Sequence, residues 1–178
     1  MKYQKIHTIF TLEYKFIIIA FILATLFGCT ESENIPEAKM EETSDIPQEK
    51  VVKEQIVYVP IYSSIYTVEE KSLIHLCATL SIRNTSLQHH IVVTKVDYYD
   101  TNGKLIKMYV PQPFLLPPLA TKDFVVRQRE LAGGTGANFL VTWKSEHPVS
   151  HPIVQAVMIG THGGLGISFV CEGVEINE

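Results

Sequence analysis

Residues Ile91–Val110 read IVVTKVDYYDTNGKLIKMYV. This stretch decides the fold class. Val92, Val96 and Tyr98 alternate with Lys95, Asp97 and Tyr99, as expected of a strand with one buried and one wet face. The alternation stops at Asn102-Gly103, a strong hairpin signal, because both residue types tolerate the backbone of a tight reversal. Leu105–Val110 then predicts the returning strand. Upstream, Leu73–Arg83 (LIHLCATLSIR) repeats the pattern over eleven residues. Ile74, Leu76, Ala78, Leu80 and Ile82 share one face, while His75, Cys77, Thr79 and Ser81 share the other.

Working outward, short apolar runs recur between turn signals. Strands are predicted at Ile56–Tyr62, Asp123–Gln128, Phe139–Lys144, Ile153–Ile159 and Gly166–Cys171. Pro60 lacks a ladder donor, so the first of these is expected at a sheet edge. Phe139, Val141 and Trp143 fall on one face. Pro111–Pro118 holds four prolines and is expected to be a stiff crossing loop. No segment has strong helical periodicity, and no repeat is present. The expected fold is all-β: a single antiparallel β-sandwich, immunoglobulin-like or similar, of seven or eight strands.

The flanking sequence differs in kind. Lys2, Lys5 and Lys15 precede an apolar run of 12 residues, Phe16–Phe27 (FIIIAFILATLF). A helix needs about 20 apolar residues to cross a bilayer, so this pattern predicts an export signal over 1–28. Leu26-Phe27-Gly28-Cys29 resembles the bacterial lipobox, which implies that Cys29 is cleaved to the N-terminus and acylated. Residues 29–54 follow as an acidic, flexible tether. Its part from Thr30 to Glu54 carries eight acids, three lysines and no aromatic residue, a composition that cannot build a core. Residues 55–178 form the domain. The expected location is the bacterial cell envelope, held by lipid at Cys29, on an outer-membrane, periplasmic or surface side.

The 178 residues carry 15 Lys+Arg against 19 Asp+Glu, a net charge of −4. That balance disfavours a nucleic-acid partner. Three cysteines are too few for a disulfide scaffold.

Five further stretches carry a family resemblance. These are Leu80-Ser81-Ile82-Arg83-Asn84-Thr85, Val96-Asp97-Tyr98-Tyr99-Asp100, Gly133–Phe139 (GGTGANF), Val157-Met158-Ile159-Gly160 and Gly166-Ile167-Ser168-Phe169. With Tyr58–Ser63 (YVPIYS) as an opening, they resemble a bacterial exported or lipoprotein family, domain of unknown function 3124. The resemblance covers about Val57–Gly173 and implies no activity.

Chemistry-bearing groups are sparse. Gly133-Gly134-Thr135-Gly136 is a glycine-rich loop, but a strand follows it rather than a helix, and no Lys-Ser/Thr pair completes a phosphate loop. The plain reading is a hairpin loop that needs positive φ. The sharpest site is an anion- or partner-binding mouth made by Arg127, Arg129 and the amides of Gly133, Gly134, Gly136 and Asn138. Seven histidines raise metal binding. However, His147 and His151 are flanked by prolines, His89-His90 sits in a turn, and no zinc spacing is complete. His75 and Cys77 share a face but stand about 6.5–7 Å apart along the strand, too far for a direct thiolate–imidazolium pair. Parity also separates Cys77 from Cys171. No serine-hydrolase elbow or paired-carboxylate motif is present. The expectation is a non-enzymatic binding or assembly module with no catalytic residue, metal or cofactor. Its partner would be an envelope protein or a small anionic ligand. The competing reading is a metal-binding or hydrolytic envelope enzyme using the His and Cys residues.

Overall fold

The structure is a computed structural model that describes residues 41–68 and 72–177. The expected export signal, Cys29 and the expected tether up to Met40 lie outside the described residues. Thirteen strands follow in chain order: β1 Glu41–Glu42, β2 Lys53–Ile61, β3 Ser64–Tyr66, β4 Leu73–His75, β5 Cys77–Arg83, β6 Ile91–Tyr99, β7 Leu105–Met108, β8 Phe114–Leu116, β9 Thr121–Val126, β10 Ala137–Ser145, β11 Ile153–His162, β12 Leu165–Glu172 and β13 Val174–Ile176. Every sheet pairing among them is antiparallel. Among the described residues there is no α-helix, only two single 3-10 turns.

The larger sheet runs β1-β8-β6-β10-β2-β13, with β7 also on β6, and the smaller runs β12-β11-β5-β9. Their inner faces supply one core, in which Leu80 and Ile82 of β5, Phe139 and Trp143 of β10, and Met158 of β11 are fully buried. The fold is therefore all-β and sandwich-like, as the alternation predicts. The eight expected strands are all present, with Leu73–Arg83 divided into β4 and β5 where Leu76 N–H leaves the ladder for Ser63 O at 2.9 Å.

Three local expectations change. The β6–β10 register slips between Thr142 and Trp143, which face Lys95 and Val93. One extra residue in β6 reverses the side-chain parity beyond it. Ile91 and Val93 therefore join Val96 and Tyr98 in the core, while Val92 is buried outside that cluster. The chain ahead of β2 lies over that outer face: Asp45 reaches Lys144, the residue opposite Val92, at 3.1 Å, and Ile46 is buried. The domain end of the expected tether is thus packed on the sheet from β1 onward.

Second, β2 is not the outermost strand. β10 pairs with its whole length, and β13 covers Ile56–Tyr58 on the other side. Pro60 stands beyond the end of β13, where a missing donor costs nothing. Third, Pro111–Pro118 is more than a loop, because Phe114–Leu116 pairs with Ile91–Val93. Asn84 fastens this crossing. Its side-chain amide donates to Leu116 O at 3.0 Å and His89 O at 2.9 Å, and its Oδ1 accepts from Ser86 N.

Candidate functional site

Beyond β9 the chain turns, with Glu130 N–H on Arg127 O at 2.8 Å, and enters a 3-10 turn at Leu131–Gly133. Arg127, Gln128 and Arg129 are exposed on this bend. Arg129, Gln128 and Leu131 form, with His75, the wall of an open cleft of about 370 Å³. Two contacts fix its floor. The hydroxyl of buried Ser64 lies 2.9 Å from His75 Nδ1, and Gln128 Nε2 donates to His75 O at 3.0 Å. His75 faces outward because Ile74 and Leu76 on either side of it are core residues. A second cleft of about 230 Å³ adjoins on the far side of Gln128, lined by Cys77, Ile159, Gly160 and Thr161. His75 and Cys77 thus line separate clefts that meet at Gln128, an arrangement without a thiol–imidazole pair.

The glycine loop does not complete the expected mouth. Gly134 N–H is spent on Leu131 O at 3.3 Å, and Gly136 N–H on Thr101 Oγ1 at 3.0 Å. Gly134 O accepts from Ser63 and Ser64 N–H, and Gly133 O from Thr101 N–H and Oγ1. These bonds lock the loop to the β6–β7 hairpin and to the β2–β3 corner. Gly134 has φ +76°, which meets the plain hairpin-loop reading. Gly133 is buried beneath the Tyr98 Oη–Ser63 Oγ hydrogen bond of 3.1 Å. Asn138 lies in β10 between Pro60 and Tyr99, on the face away from the core. Of the expected residues, Arg129 lines the cleft and Arg127 stands on the same bend. The three glycines serve the fold instead, and Asn138 is a strand residue.

Ser64 and Gln128 were not singled out by sequence reasoning. Gln128 carried one usable signal, its place between two arginines at the end of a predicted strand. Ser64 carried none, because its partner lies across the β3–β4 pairing.

The remaining histidines disperse. His147 stacks on His89 with centroids 4.1 Å apart, His151 Nδ1 meets Gln55 Nε2 at 2.8 Å, and His162 ends β11. Among the described residues no three His, Cys, Asp or Glu side chains converge as metal ligands. Cys77 lies on the outer face of the smaller sheet. Cys171 packs with Ile167 and Phe169 against the core, and both thiols are free. Burial, then the Glu172 charge, pushes the Cys171 thiol upward, away from the reactive thiolate.

Two tyrosines likewise hold up the framework. Tyr98 and Tyr109 pack on Phe139, and burial raises both phenols, Tyr109 to about 12. Trp143 is anchored the same way: its indole N–H donates to Gln55 Oε1 at 2.9 Å.

No curated protein matches the sequence. Among solved structures, the crystal structure of Thermotoga maritima 1070 is similar at 12% identity and a TM-score of 0.38, over 67% of this chain and 92% of that one. A family model described as "Protein of unknown function (DUF3124)" matches residues 54–176, from the start of β2 to the end of β13. The match covers β2 to β13 and more than half of the chain, and the chain therefore belongs to the DUF3124 family.

Proposed function

We propose that the protein is a non-enzymatic binding module of the bacterial cell envelope, anchored by lipid on Cys29. Its cleft at His75, Gln128 and Arg129 takes a carboxylate or phosphate group of a partner. One observation carries the reading: a guanidinium, an imidazole fixed by buried Ser64 and a carboxamide fixed on His75 O line one open cleft between β4 and the bend after β9. Prepositioned donors of this kind favour an oxyanion, and Arg129 can meet it with two N–H groups. A loop on a sandwich can present such groups at little cost to the core. The lipobox-like Leu26–Cys29 and the acidic composition after it support the anchor.

Two experiments test the two halves. Titrating the protein with inorganic phosphate and with acetate, followed by NMR, should move the resonances of His75, Gln128 and Arg129. Arg127→Ala combined with Arg129→Ala should abolish the effect, and added salt should weaken it. No movement at these residues refutes the site. Fatty-acid labelling of cells should mark the wild type and not Cys29→Ala; equal labelling refutes the anchor.

A further inference from the structure

β12 ends the smaller sheet, and among the described residues its outer edge has no strand partner. The β11–β12 hairpin turns on Gly163 and Gly164, with φ 57° and 82°, and His162 faces Leu165. A two-residue turn of this kind makes its flanking pair exchange backbone hydrogen bonds. Counting along the strand, Leu165, Ile167, Phe169 and Cys171 direct their N–H and C=O groups at β11. The next residue of that parity, Gly173, does the same, with its N–H on Val154 O at 2.8 Å. Gly166, Ser168, Val170 and Glu172 therefore turn their donors and acceptors outward.

Exposed edges are ordinarily blunted by proline, lysine, a bulge or a short strand. β12 has none of these. It is eight residues long, pairs with β11 without a register break, and carries one charge, Glu172, at its end. Its core-side residues are also incompletely covered. Ile167, Phe169 and Cys171 pack on the core but stay only partly buried, and Phe169 meets Tyr62 edge-on at 5.6 Å. Val170, on the other face, is 52% exposed.

We infer that β12 is a self-assembly edge, where two copies of this chain pair antiparallel and join their smaller sheets into one. A two-fold axis at Phe169 sets Ser168 opposite Val170 and Gly166 opposite Glu172, so all four outward-facing residues of both copies find partners. The same axis keeps both cores on one side of the joined sheet and lays each Ile167–Phe169–Cys171 row against the other. The two Glu172 carboxylates fall at opposite ends, each facing a glycine, so no like charges meet. A strand of another protein would find one charge to read on this edge, whereas a second copy matches it in length and alternation.

The test uses the full chain in nonionic detergent. Light scattering should give a dimer, and hydrogen exchange should slow at Gly166, Ser168, Val170 and Glu172 as concentration rises from ~1 to ~200 µM, by about tenfold or more. Val170→Pro removes one outward N–H and no bond to β11. It should yield a monomer whose melting temperature depends little on concentration. Ser168→Lys, which sets like charges near the axis without touching the backbone, should do the same. A wild-type monomer at the highest concentration overturns the inference. So does a dimer that survives both substitutions, or protection of these amides only when envelope extract is added.

Discussion

Replacing Gly133 with alanine places a methyl group where Tyr98 Oη and Ser63 Oγ already meet. An ideal Cβ there lies well under 3.0 Å from both oxygens and 2.9 Å from Ala137 Cβ. Gly133 is not among the positive-φ glycines, so alanine strains no backbone angle and the cost is steric. The ring cannot yield easily: Tyr98 is 1% exposed and packs on Phe139 with centroids 5.2 Å apart. Overpacking a core costs about 1–3 kcal/mol. Parting the Tyr98–Ser63 bond leaves buried hydroxyls without a partner, at about 1–3 kcal/mol. We expect Gly133→Ala to lose about 3 kcal/mol in urea unfolding, and roughly 6–12 °C in melting temperature. Tyr98→Phe removes the hydroxyl and should cost about 1 kcal/mol by itself. Combined with Gly133→Ala it relieves the overlap, so the double variant should be about 1–2 kcal/mol more stable than the sum of the singles. A Gly133→Ala loss below about 0.5 kcal/mol, or strictly additive variants, would refute the packing role assigned to this glycine.

Asn84→Ala should cost about 2–4 kcal/mol, because it strips a donor from the buried Leu116 carbonyl and from the half-buried His89 carbonyl, and an acceptor from Ser86 N–H. Asn84→Asp, which keeps the acceptor and loses the donors, should rescue little of the chemical-denaturation midpoint. Alkaline stability should report Tyr109. Burial, helped by Glu130 and Tyr98, raises its folded pKa from 10.0 to about 12. The unfolded chain therefore ionises first, and stability present below pH 10 falls as pH climbs toward 12, by at most about 2 kcal/mol. Tyr109→Phe should flatten that part of the profile, and an unchanged slope in urea titrations would contradict it.

Much of the fold was legible from local pattern. Five consecutive inward positions from Ile74 to Ile82, and Phe139, Val141 and Trp143, are core residues in the structure as their alternation predicts. Side-chain direction in a strand has period two, so a regular strand announces its buried face without its neighbours. The Asn102-Gly103 hairpin was legible for the same local reason: Gly103 takes φ +76°, and Asp100 Oδ1 accepts from the N–H groups of Asn102 and Lys104.

Pairing between distant segments carries no such signature. The extra residue in β6 shows only against the β10 register, so Val92 and Val93 exchange roles that the sequence pattern assigns the other way round. β8 and β13 are three residues each, too short for a period, and exist because β6 and β2 offer them an open ladder. The candidate site divides along the same line. Two exposed arginines beside a strand end could be read from the chain. That the Gly136 amide is taken by Thr101, and that Ser64 and Gln128 build the cleft floor instead, follows from contacts between separate segments of the chain. Local residue chemistry determined the long regular strands and their buried faces. Long-range hydrogen bonding and close packing, which no single segment encodes, decided where the functional groups meet.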